Sequence, residues 1–213
     1  MRMRKKKNLT PRLERCAALH IKDPENHRGN WLNLAPGCLE LHLELGCGKG
    51  SFTVQTAEDN PGALIVAVEK VLNALVTAME RAISTELKNI YFLSCDAALL
   101  PEFFAEGEVR RIYINFCDPW PSKRHAKRRL TSPGFLATYK SILAKGGEIH
   151  FKTDNLPLFE YSLEQFADNG FELSEVTRNL HESGICGVMT DYEEKFHRDG
   201  IPINRCVAKL IHK

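Results

Sequence analysis

Residues 41–50, Leu-His-Leu-Glu-Leu-Gly-Cys-Gly-Lys-Gly, decide the fold of this chain. Leucine alternates with His42 and Glu44, and the stretch then ends in three glycines spaced G-x-G-x-G. A short apolar run that ends in glycines and precedes a helical pattern, here residues 51–58, predicts a strand, a tight turn and a helix. Glycines at such a turn adopt positive φ angles and leave the backbone open to a ligand. The stretch therefore predicts a nucleotide-type cofactor site at the carboxyl end of the first strand of a doubly wound sheet.

The spacing of these glycines separates two classes of cofactor. The dinucleotide pattern G-x-G-x-x-G would need a glycine at position 51, where this chain has Ser51, so an NAD enzyme is disfavoured. Glu44 precedes Gly46 by two residues, and a carboxylate there suits a cofactor with a cationic amino group, as S-adenosylmethionine has. A glycine pattern alone also fits a purely structural turn, so the rest of the chain must decide.

Strand and helix patterns alternate along most of the chain. Apolar strand runs are predicted at 63–69, 89–95, 111–116 and 148–153, and amphipathic helices at 71–84, 131–144 and 156–169. Two further runs, 171–176 and 204–211, break the alternation and are predicted to pair antiparallel at one edge of the sheet. The predicted fold is α/β, a Rossmann-like, doubly wound and mostly parallel sheet with an antiparallel edge hairpin. We expect a single domain over residues 40–213, preceded at 1–39 by a basic arm, disordered to about Thr10, and an irregular lead-in.

Composition narrows the class of protein. No apolar stretch approaches the roughly 20 residues that span a bilayer, and the basic N-terminus is not followed by an apolar segment, so no membrane association is expected. The seven cysteines form no C-x-x-C pair. Disulfides and a metal site are therefore not expected, and a reducing cytoplasm is the predicted location. The chain is expected to be a monomer or a homodimer.

Positive charge is concentrated in two places. Residues 1–15 carry seven Lys/Arg and one acid, and residues 123–129 carry five Lys/Arg and no acid, although the whole chain has a net charge of only +2. A single run of this kind is commonly a solvated loop. Two such runs on an otherwise acidic chain predict a localised site for a polyanion, and nucleic acid is the favoured partner.

Acidic residues fall at or near the carboxyl ends of five successive predicted strands. They are Glu44, Glu69, Asp96, Asp118 and Asp154. One such acid is commonly a helix cap, but in a doubly wound sheet these ends line a single ligand crevice. Glu69 stands where a second strand-end acid holds ribose hydroxyls, and Asp96 is placed to accept from an adenine amino group.

The stretch Asp118-Pro119-Trp120-Pro121 is the most specific feature of the sequence. Two prolines around an aromatic residue make a stiff loop without N–H donors at those two positions. The basic run Lys123, Arg124, Lys127, Arg128 and Arg129 follows almost directly. A clamp for a planar group, joined to a phosphate-binding stretch, predicts an enzyme that modifies a base within a nucleic acid.

Over about residues 40–213 the sequence resembles the bacterial tRNA (guanine-N(7)-)-methyltransferases. The resemblance is carried by LELGCGKG (43–50), AVEK (67–70), DPWP with KRH (118–121 and 123–125), FKTD (151–154) and TDYEEKF (190–196). It implies a class I fold and the S-adenosylmethionine-dependent methylation of ring nitrogen 7 of guanine 46, in the variable loop of tRNA. One departure is Ser122, because the family usually has a lysine there, and Lys123 could cover part of that role.

The resemblance also implies site residues. Cofactor contacts are implied at Glu44, Gly46, Gly48, Glu69, Lys70, Asp96, Ala97 and Asp118. Substrate contacts are implied at Lys123, Arg124, Lys127, Arg128, Arg129, Asp154, Thr190, Asp191, Tyr192 and Glu193. Without the resemblance, residues 190–196 would be interpreted as a solvated helix start capped by Thr190.

Ring nitrogen 7 of guanine has a free lone pair, so methyl transfer needs no base and depends mainly on proximity and orientation. The product ring is cationic, which makes Asp118 the candidate catalytic residue. Asp154 and Glu193 could accept from the adjacent guanine donors. Two alternatives stay open: a methyltransferase acting on another nitrogen, such as an adenine or a glutamine amide, and a non-catalytic RNA-binding protein on the same fold.

Overall fold

A seven-stranded sheet forms the centre of the computed structural model, which describes residues 8–211. The strands are β1 (Glu40–Leu45), β2 (Ala63–Val68), β3 (Ile90–Leu93), β4 (Val109–Asn115), β5 (Leu143–Thr153), β6 (Phe171–Thr177) and β7 (Asn204–Leu210). Their order is β3-β2-β1-β4-β5-β7-β6; the first five are parallel, and β7 runs antiparallel to both its neighbours. The predicted fold class is confirmed, although a long connection rather than a tight turn joins β6 to β7.

Helices cover both faces of the sheet. They are α1 (Leu9–Arg15), α2 (Ser51–Asp59), α3 (Leu72–Ile83), α4 (Leu100–Phe103), α5 (Pro133–Ile142), α6 (Leu156–Asp168) and α7 (Asp191–Arg198). One apolar core packs α4, α5 and α6 against the sheet, and a second packs α1, α2 and α3 against the other face. No helix within residues 8–211 is long and apolar enough to cross a membrane.

The alternation in β1 decides which side chains enter which layer. Leu41, Leu43 and Leu45 are buried in the core that contains α5 and α6. Glu44 therefore points to the opposite face, where α2 lies, and Thr53 of α2 donates a hydrogen bond to it. The strand pattern that places leucine in one core thus places a carboxylate beneath the glycine turn.

The lead-in contains more regular structure than the sequence predicted. Besides α1 it has 3₁₀ turns at Pro24–His27 and Trp31–Leu34. Trp31 is fully buried and stacks on Phe104, with ring centroids 4.9 Å apart, and its indole N–H donates to the carbonyl of Phe103 at 2.9 Å. Most of the lead-in is irregular, as predicted, but these turns were not expected, because one aromatic side chain can anchor an otherwise polar segment.

The predicted disordered arm lies mostly outside the described residues, which begin at Asn8. Its last two residues, Leu9 and Thr10, are already helical. Arg12 and Arg15 of α1 form ion pairs with Glu80 of α3, and Leu9 packs against the adjoining core. The boundary at residue 10 is therefore too late.

Strand β5 begins five residues earlier than predicted. It starts at Leu143, directly after α5, and the pairing of β4 with β5 shifts register between Val109 and Arg111. Gly146 has φ +67° within this irregular part. Gly146 and Gly147, which separate the predicted helix 131–144 from the predicted strand 148–153, accommodate a bulge inside the strand.

The strand order places a topological switch between β1 and β4. From β1 the chain proceeds to β2 and β3 on one side, and then returns to β4 and β5 on the other. Ligands of doubly wound sheets bind outside the carboxyl ends of the strands at such a point. The glycine turn after β1 and the Asp118 loop after β4 are therefore neighbours.

Candidate functional site

The glycine turn after β1 leaves an open cradle. Gly46 and Gly48 have φ of +77° and +57°, and a Cβ atom added at either would meet nothing within 4 Å. The amides of Gly46 and Cys47 donate to the carbonyl of Val68, at 2.8 and 3.2 Å, so the turn is tied to β2. A fixed backbone with no side chains above it is what close approach of a ligand requires.

Glu44 lies beneath this turn rather than on its surface. The residue is 2% exposed, and its carboxylate accepts from the hydroxyl of Thr53. Burial raises the pKa of Glu44 to about 7, and the hydrogen bond from Thr53 opposes that rise. The side chain can thus gain or lose its charge near neutral pH, and a nearby cationic group would favour the charged form.

Glu69 connects the turn after β1 to the end of β2. Its carboxylate accepts from the amide of Gly48 at 3.1 Å and from the amide of Val71 at 2.8 Å. Each carboxylate oxygen has two lone pairs, so both can accept a further hydrogen bond from a ligand. The position predicted for a ribose-holding acid is therefore geometrically open.

Lys70 and Asp96 form the wall beyond Glu69. Lys70 Nζ donates to Asp96 Oδ2 at 2.7 Å, and the amide of Ala98 donates to Asp96 Oδ1 at 3.0 Å. Both contacts lower the pKa of Asp96, with Lys70 the larger cause. Ala97 begins the 3₁₀ turn that follows, where backbone N–H groups lack partners within the turn.

The loop after β4 has a strained backbone on both sides of Asp118. Phe116 and Trp120 have φ of +52° and +41°, which is unusual for residues with bulky side chains. Asp118 itself is exposed and has no hydrogen-bond or ion-pair partner within residues 8–211. Strain of this kind is typical of functional loops whose surroundings over-determine the conformation.

Arg129 holds that loop. Its guanidinium donates to the carbonyls of Pro119 at 3.0 Å and Trp120 at 3.0 Å, and it lies over the ring of Tyr161, 4.3 Å from the centroid. Two of the three guanidinium nitrogens are thus directed to the loop backbone, and contact of Arg129 with substrate stays a prediction. The role that the structure gives this residue is to position Trp120.

The rest of the basic stretch faces solvent. Residues Lys123–Arg128 form a 3₁₀ turn in which Lys123, Arg124, Lys127 and Arg128 are exposed. The guanidinium of Arg128 lies 4.8 Å from the centroid of the Trp120 ring, so one cation of the stretch rests on the loop's aromatic face. Four of the five predicted basic contacts thus remain available to a polyanion.

The remaining predicted substrate residues lie directly after the carboxyl end of β5 and at the start of α7. Asp154 is exposed directly after β5, and Tyr192 is 65% exposed. The amide of Asp191 donates to the hydroxyl of Ser51 at 3.1 Å, and its carboxylate pairs with Arg81 at 3.3 Å. Because Ser51 follows the glycine turn, these contacts bring the start of α7 beside the cradle.

Glu193 is the clearest departure from the predicted site. Thr190 and Glu193 form a capping box at the start of α7, as the alternative helix-start interpretation expected. The Glu193 side chain is fully buried, and its two oxygens accept from Lys152 and His181. A guanine could not reach this carboxylate without displacing one of them, so direct recognition by Glu193 is corrected.

Two aromatic residues at the site, Phe116 and Phe196, were not among the predicted site residues. Phe196 of α7 lies between Phe116 and Tyr192, with ring centroids 5.8 and 6.5 Å away. The four-residue spacing of Tyr192 and Phe196 on one helix was the available signal. These rings give the crevice an apolar side that a planar base could stack on.

These features fit a sulfonium nucleoside cofactor. The open cradle accepts a ligand close to the backbone, Glu69 offers acceptors for hydroxyls, and Asp96 lies beyond it for a polar base edge. The rings of Phe116, Phe196 and Tyr192 lie on the α7 side of the Asp118 loop and offer faces for a second planar group. These surfaces suit two planar ligands held side by side, which transfer between them requires.

The comparisons with known proteins agree with this geometry. A family model described as "Putative methyltransferase" matches residues 39–206. The chain is 45% identical over 211 residues to the tRNA (guanine-N(7)-)-methyltransferase of Listeria innocua serovar 6a, covering 99% of each. It is 44% identical over 210 residues to the protein of that name from Bacillus cytotoxicus, covering 98% of this chain and 97% of the relative.

Solved structures share the fold at much lower identity. The 16S rRNA methyltransferase KamB has a TM-score of 0.64 at 18% identity, covering 85% of this chain and 93% of that one. The 16S rRNA (adenine(1408)-N(1))-methyltransferase from Catenulisporales acidiphilia, solved with its cosubstrate, has a TM-score of 0.63 at 13% identity, covering 90% and 93%. At these identities the likeness shows the class I methyltransferase fold alone.

Proposed function

We propose that this chain, which belongs to the tRNA (guanine-N(7)-)-methyltransferase family, modifies guanine 46 in the variable loop of tRNA. The enzyme methylates ring nitrogen 7 of guanine in tRNA with S-adenosylmethionine. The observation that best supports a base-modifying site is the junction at the switch point. There an open glycine cradle adjoins an aromatic loop with a free carboxylate, and four exposed cations follow that loop.

Cofactor binding is assigned to the strand ends on the β1–β3 side. Gly46 and Gly48 would admit the ligand, and Glu69 would accept from its ribose hydroxyls. Asp96, held by Lys70 and followed by Ala97, would meet the adenine. Glu44 would act from beneath the turn through its charge, and Asp118 would border the transferred group. Support for these roles comes from exposure and hydrogen-bond geometry.

Substrate binding is assigned to the β4–β5 side. The exposed cations Lys123, Arg124, Lys127 and Arg128 would contact tRNA phosphates, and Asp154 would accept from the guanine edge. The start of α7, at Thr190, Asp191 and Tyr192, would border the base. Glu193 is left out of direct contact because its carboxylate oxygens bind other parts of the chain. Arg129 would mainly hold the Trp120 loop, with Nη1 left to contact a phosphate.

The methyl transfer requires little proton transfer by the protein. When bound, S-adenosylmethionine supplies an electrophilic methyl group on a sulfonium. The chain's task is to hold guanine N7 in line with that methyl group and to keep water away. Asp118 would stabilise the positive charge that appears on the ring as the bond forms. No residue needs to act as a base.

Mapping the product nucleoside tests this function. Unmodified tRNA is incubated with the enzyme and methyl-labelled cofactor, then digested and separated by mass. Label in 7-methylguanosine, lost when position 46 is changed to adenosine, is the expected result. Label in a modified adenosine, or in a protein glutamine, would favour the alternative methyltransferases. Binding of tRNA without cofactor binding or label would favour a non-catalytic RNA-binding protein.

Cofactor affinity is expected to depend on pH through Glu44. Its folded pKa of about 7 lies above the ordinary 4.5, so below pH 7 the neutral form dominates in the free protein. A cationic amino group favours the charged form, so affinity should rise by less than tenfold between about pH 6 and 7.5. Calorimetric titration with S-adenosylmethionine should show this rise in the parent enzyme and no rise in Glu44→Gln.

The stability of the ligand-free protein should change with pH in the opposite direction to the cofactor affinity. A carboxyl group with a raised folded pKa favours folding below its unfolded pKa, and that contribution is lost as pH rises through about 7. Ligand-free Glu44→Gln should therefore gain thermal stability relative to the parent as pH increases from 5 to 8. The exposed Glu58→Gln on α2 is the control, and an equal pH response in both variants would contradict the assignment.

The salt dependence of tRNA binding should report the exposed cations. Arg124→Ala should reduce the slope of log affinity against log salt by about 0.7 to 0.9, because one phosphate contact is lost. Turnover at saturating tRNA should change little. Lys145→Ala, an exposed cation at the opposite end of β5, should leave the slope unchanged. Equal slopes for Arg124→Ala and the parent would remove this stretch from phosphate binding.

Other assignments remain proposals. We propose a single methyltransferase domain over residues 40–213, preceded by a basic arm and lead-in at 1–39, and a cytoplasmic enzyme that is a monomer or a homodimer. The burial of Trp31 against Phe104 indicates that the lead-in contributes to the same core. Sedimentation at several protein concentrations would separate monomer from homodimer.

A further inference from the structure

A cluster of three buried polar side chains lies beneath the connection between β6 and α7. Lys152 Nζ donates to the two carboxylate oxygens of Glu193 at 3.1 and 3.0 Å, and His181 Nε2 lies 2.9 Å from Glu193 Oε1. These side chains are 9%, 0% and 4% exposed. Removing such groups from water carries a large free-energy cost, so stability alone is a weak reason for a cluster of this kind.

The cluster also holds backbone groups of the connection. The amide of Cys186 donates to His181 Nδ1 at 3.2 Å, which leaves the proton on Nε2 to be donated to Glu193. Lys152 donates to the carbonyl of Val188 at 2.7 Å, and the amide of Thr190 donates to Glu193 Oε2 at 3.3 Å. Three alternate residues of the chain are thus fixed by the same buried group of side chains.

Apolar anchors are scarce in this connection. Residues 178–190 contain no helix or strand, and none of their large apolar side chains is fully buried: Ile185 is 65% exposed, and Leu180, Val188 and Met189 are half-buried. The connection ends at Asp191, whose amide donates to Ser51 immediately after the glycine turn. Polar contacts to Lys152 and His181, together with those of Asp191 to Ser51 and Arg81, therefore determine where the start of α7 lies relative to the cradle.

We infer that Lys152, Glu193 and His181 are positioning residues, which fix residues 186–192 beside the glycine turn and so set the guanine-facing side of the site against the cofactor side. This inference rests on the proposed function. A displacement of about 1 Å between reacting groups can slow a reaction by a hundredfold. Binding of tRNA, which depends on phosphate contacts elsewhere, should be affected much less.

A charge-neutral double variant separates positioning from stability. Lys152→Met alone leaves an unpaired buried carboxylate, whereas Lys152→Met with Glu193→Gln removes both charges at similar volume. The double variant should melt within about 5 °C of the parent. Its single-turnover rate at saturating cofactor and tRNA should nevertheless fall at least tenfold, because Val188 loses its donor and the amide at position 193 has one acceptor oxygen where His181 and Thr190 each had their own. Dissociation constants for tRNA and S-adenosylmethionine should change by less than about threefold.

A second pair of variants decides the question if the double variant is unstable. His181→Gln can still donate to Glu193 and should keep most of the single-turnover rate, whereas His181→Ala should lose about tenfold or more. Cofactor-binding stoichiometry corrects both rates for the fraction of folded protein. Glu160→Gln, in the exposed pair with Arg178, is the control for losing an ion pair and should behave as the parent.

The inference would be overturned if the double variant kept the full single-turnover rate per folded molecule. It would also be overturned if His181→Gln and His181→Ala lost the same fraction of that rate. Either result would leave the cluster with a structural role only. The parent enzyme is assayed in parallel for label in 7-methylguanosine. If the parent itself forms none, the proposed function fails, and that outcome is distinguishable from a failure of the positioning role.

Discussion

Asp118→Asn is expected to slow methyl transfer on the order of a hundredfold in single turnovers at saturating cofactor and tRNA. Asparagine keeps the size of the side chain and one oxygen acceptor but loses the charge. Asp118 is exposed and free of partners within residues 8–211, so its carboxylate is available to a ligand. The guanine ring is neutral before attack and cationic afterwards, which is why the charge should matter mainly in the transition state.

Loop geometry supports this expectation. Phe116 and Trp120 hold positive φ angles on either side of Asp118, and Arg129 is bound to the carbonyls of Pro119 and Trp120. The carboxylate is thus carried by a fixed backbone rather than by a mobile loop. A preorganised charge needs no rearrangement as the reaction proceeds, and its removal is expected to change the rate more than the binding.

The measurement is the single-turnover rate beside the dissociation constants of both ligands. Asp199→Asn, which removes another exposed carboxylate at the end of α7, controls for the loss of surface charge and should react as the parent does. If the affinity of Asp118→Asn for tRNA or for the cofactor falls by about the same factor as its single-turnover rate, the residue orients a ligand instead. A rate near that of the parent would exclude the electrostatic role.

The sheet was predictable because its pattern is local. The run Ala63–Val68 is buried at every position, as an apolar strand between two helical layers must be, and leucine alternation in β1 fixed which face Glu44 takes. Since parallel strands end at the same edge, the sequence alone places an acid after each strand near the others. The predictions of Glu69 and Asp96 at one wall depend only on that regularity.

Polar side chains that fold back on the chain were not predictable in the same way. Arg129 differs from Arg128 only in its partners, the carbonyls of Pro119 and Trp120, and a run of basic residues does not reveal which member is occupied. The capping-box pattern Thr190-x-x-Glu193 did predict a helix start. The burial of Glu193, however, depends on Lys152, 41 residues away, and no local pattern records that distance.

The lead-in was misjudged for a related reason. Its prolines and polar residues predict irregular structure, and most of it is irregular. Trp31 nevertheless finds a buried position against Phe104, and Glu108 accepts from the amides of Gly29 and Trp31. Long-range contacts of a few residues outweighed the local preferences of the segment, which is the usual limit of propensity arguments.

Gly50→Ala is expected to have the largest effect of any single methyl group added at the site. Gly50 has φ +79°, and a Cβ atom there would lie 2.7 Å from the Cβ and 2.9 Å from the Cα of Ala78. Ala78 is fully buried on α3, so the glycine turn and the start of α2 would have to move away from that helix. Overpacking and the positive φ together should cost about 2 to 4 kcal/mol.

At 2 to 4 °C for each kcal/mol, Gly50→Ala should melt roughly 4 to 16 °C below the parent. Cofactor affinity should fall at least about tenfold, because the cradle is displaced. Gly170→Ala shares a positive φ but meets nothing within 4 Å, so it should cost only about 1 kcal/mol and leave cofactor binding intact. Gly48→Ala should resemble it in stability yet weaken cofactor binding, because its methyl group would enter the cradle.

A compensating change identifies the contact. Ala78→Gly removes the atom nearest to the new methyl group, so the double variant Gly50→Ala/Ala78→Gly should recover part of the lost melting temperature, less about 1 kcal/mol for a glycine inside α3. Thermal unfolding of the ligand-free proteins and calorimetric titration with S-adenosylmethionine are the two measurements. If Gly50→Ala melts no lower than Gly170→Ala, close packing against α3 does not hold the turn. The spacing G-x-G-x-G would then reflect backbone conformation alone.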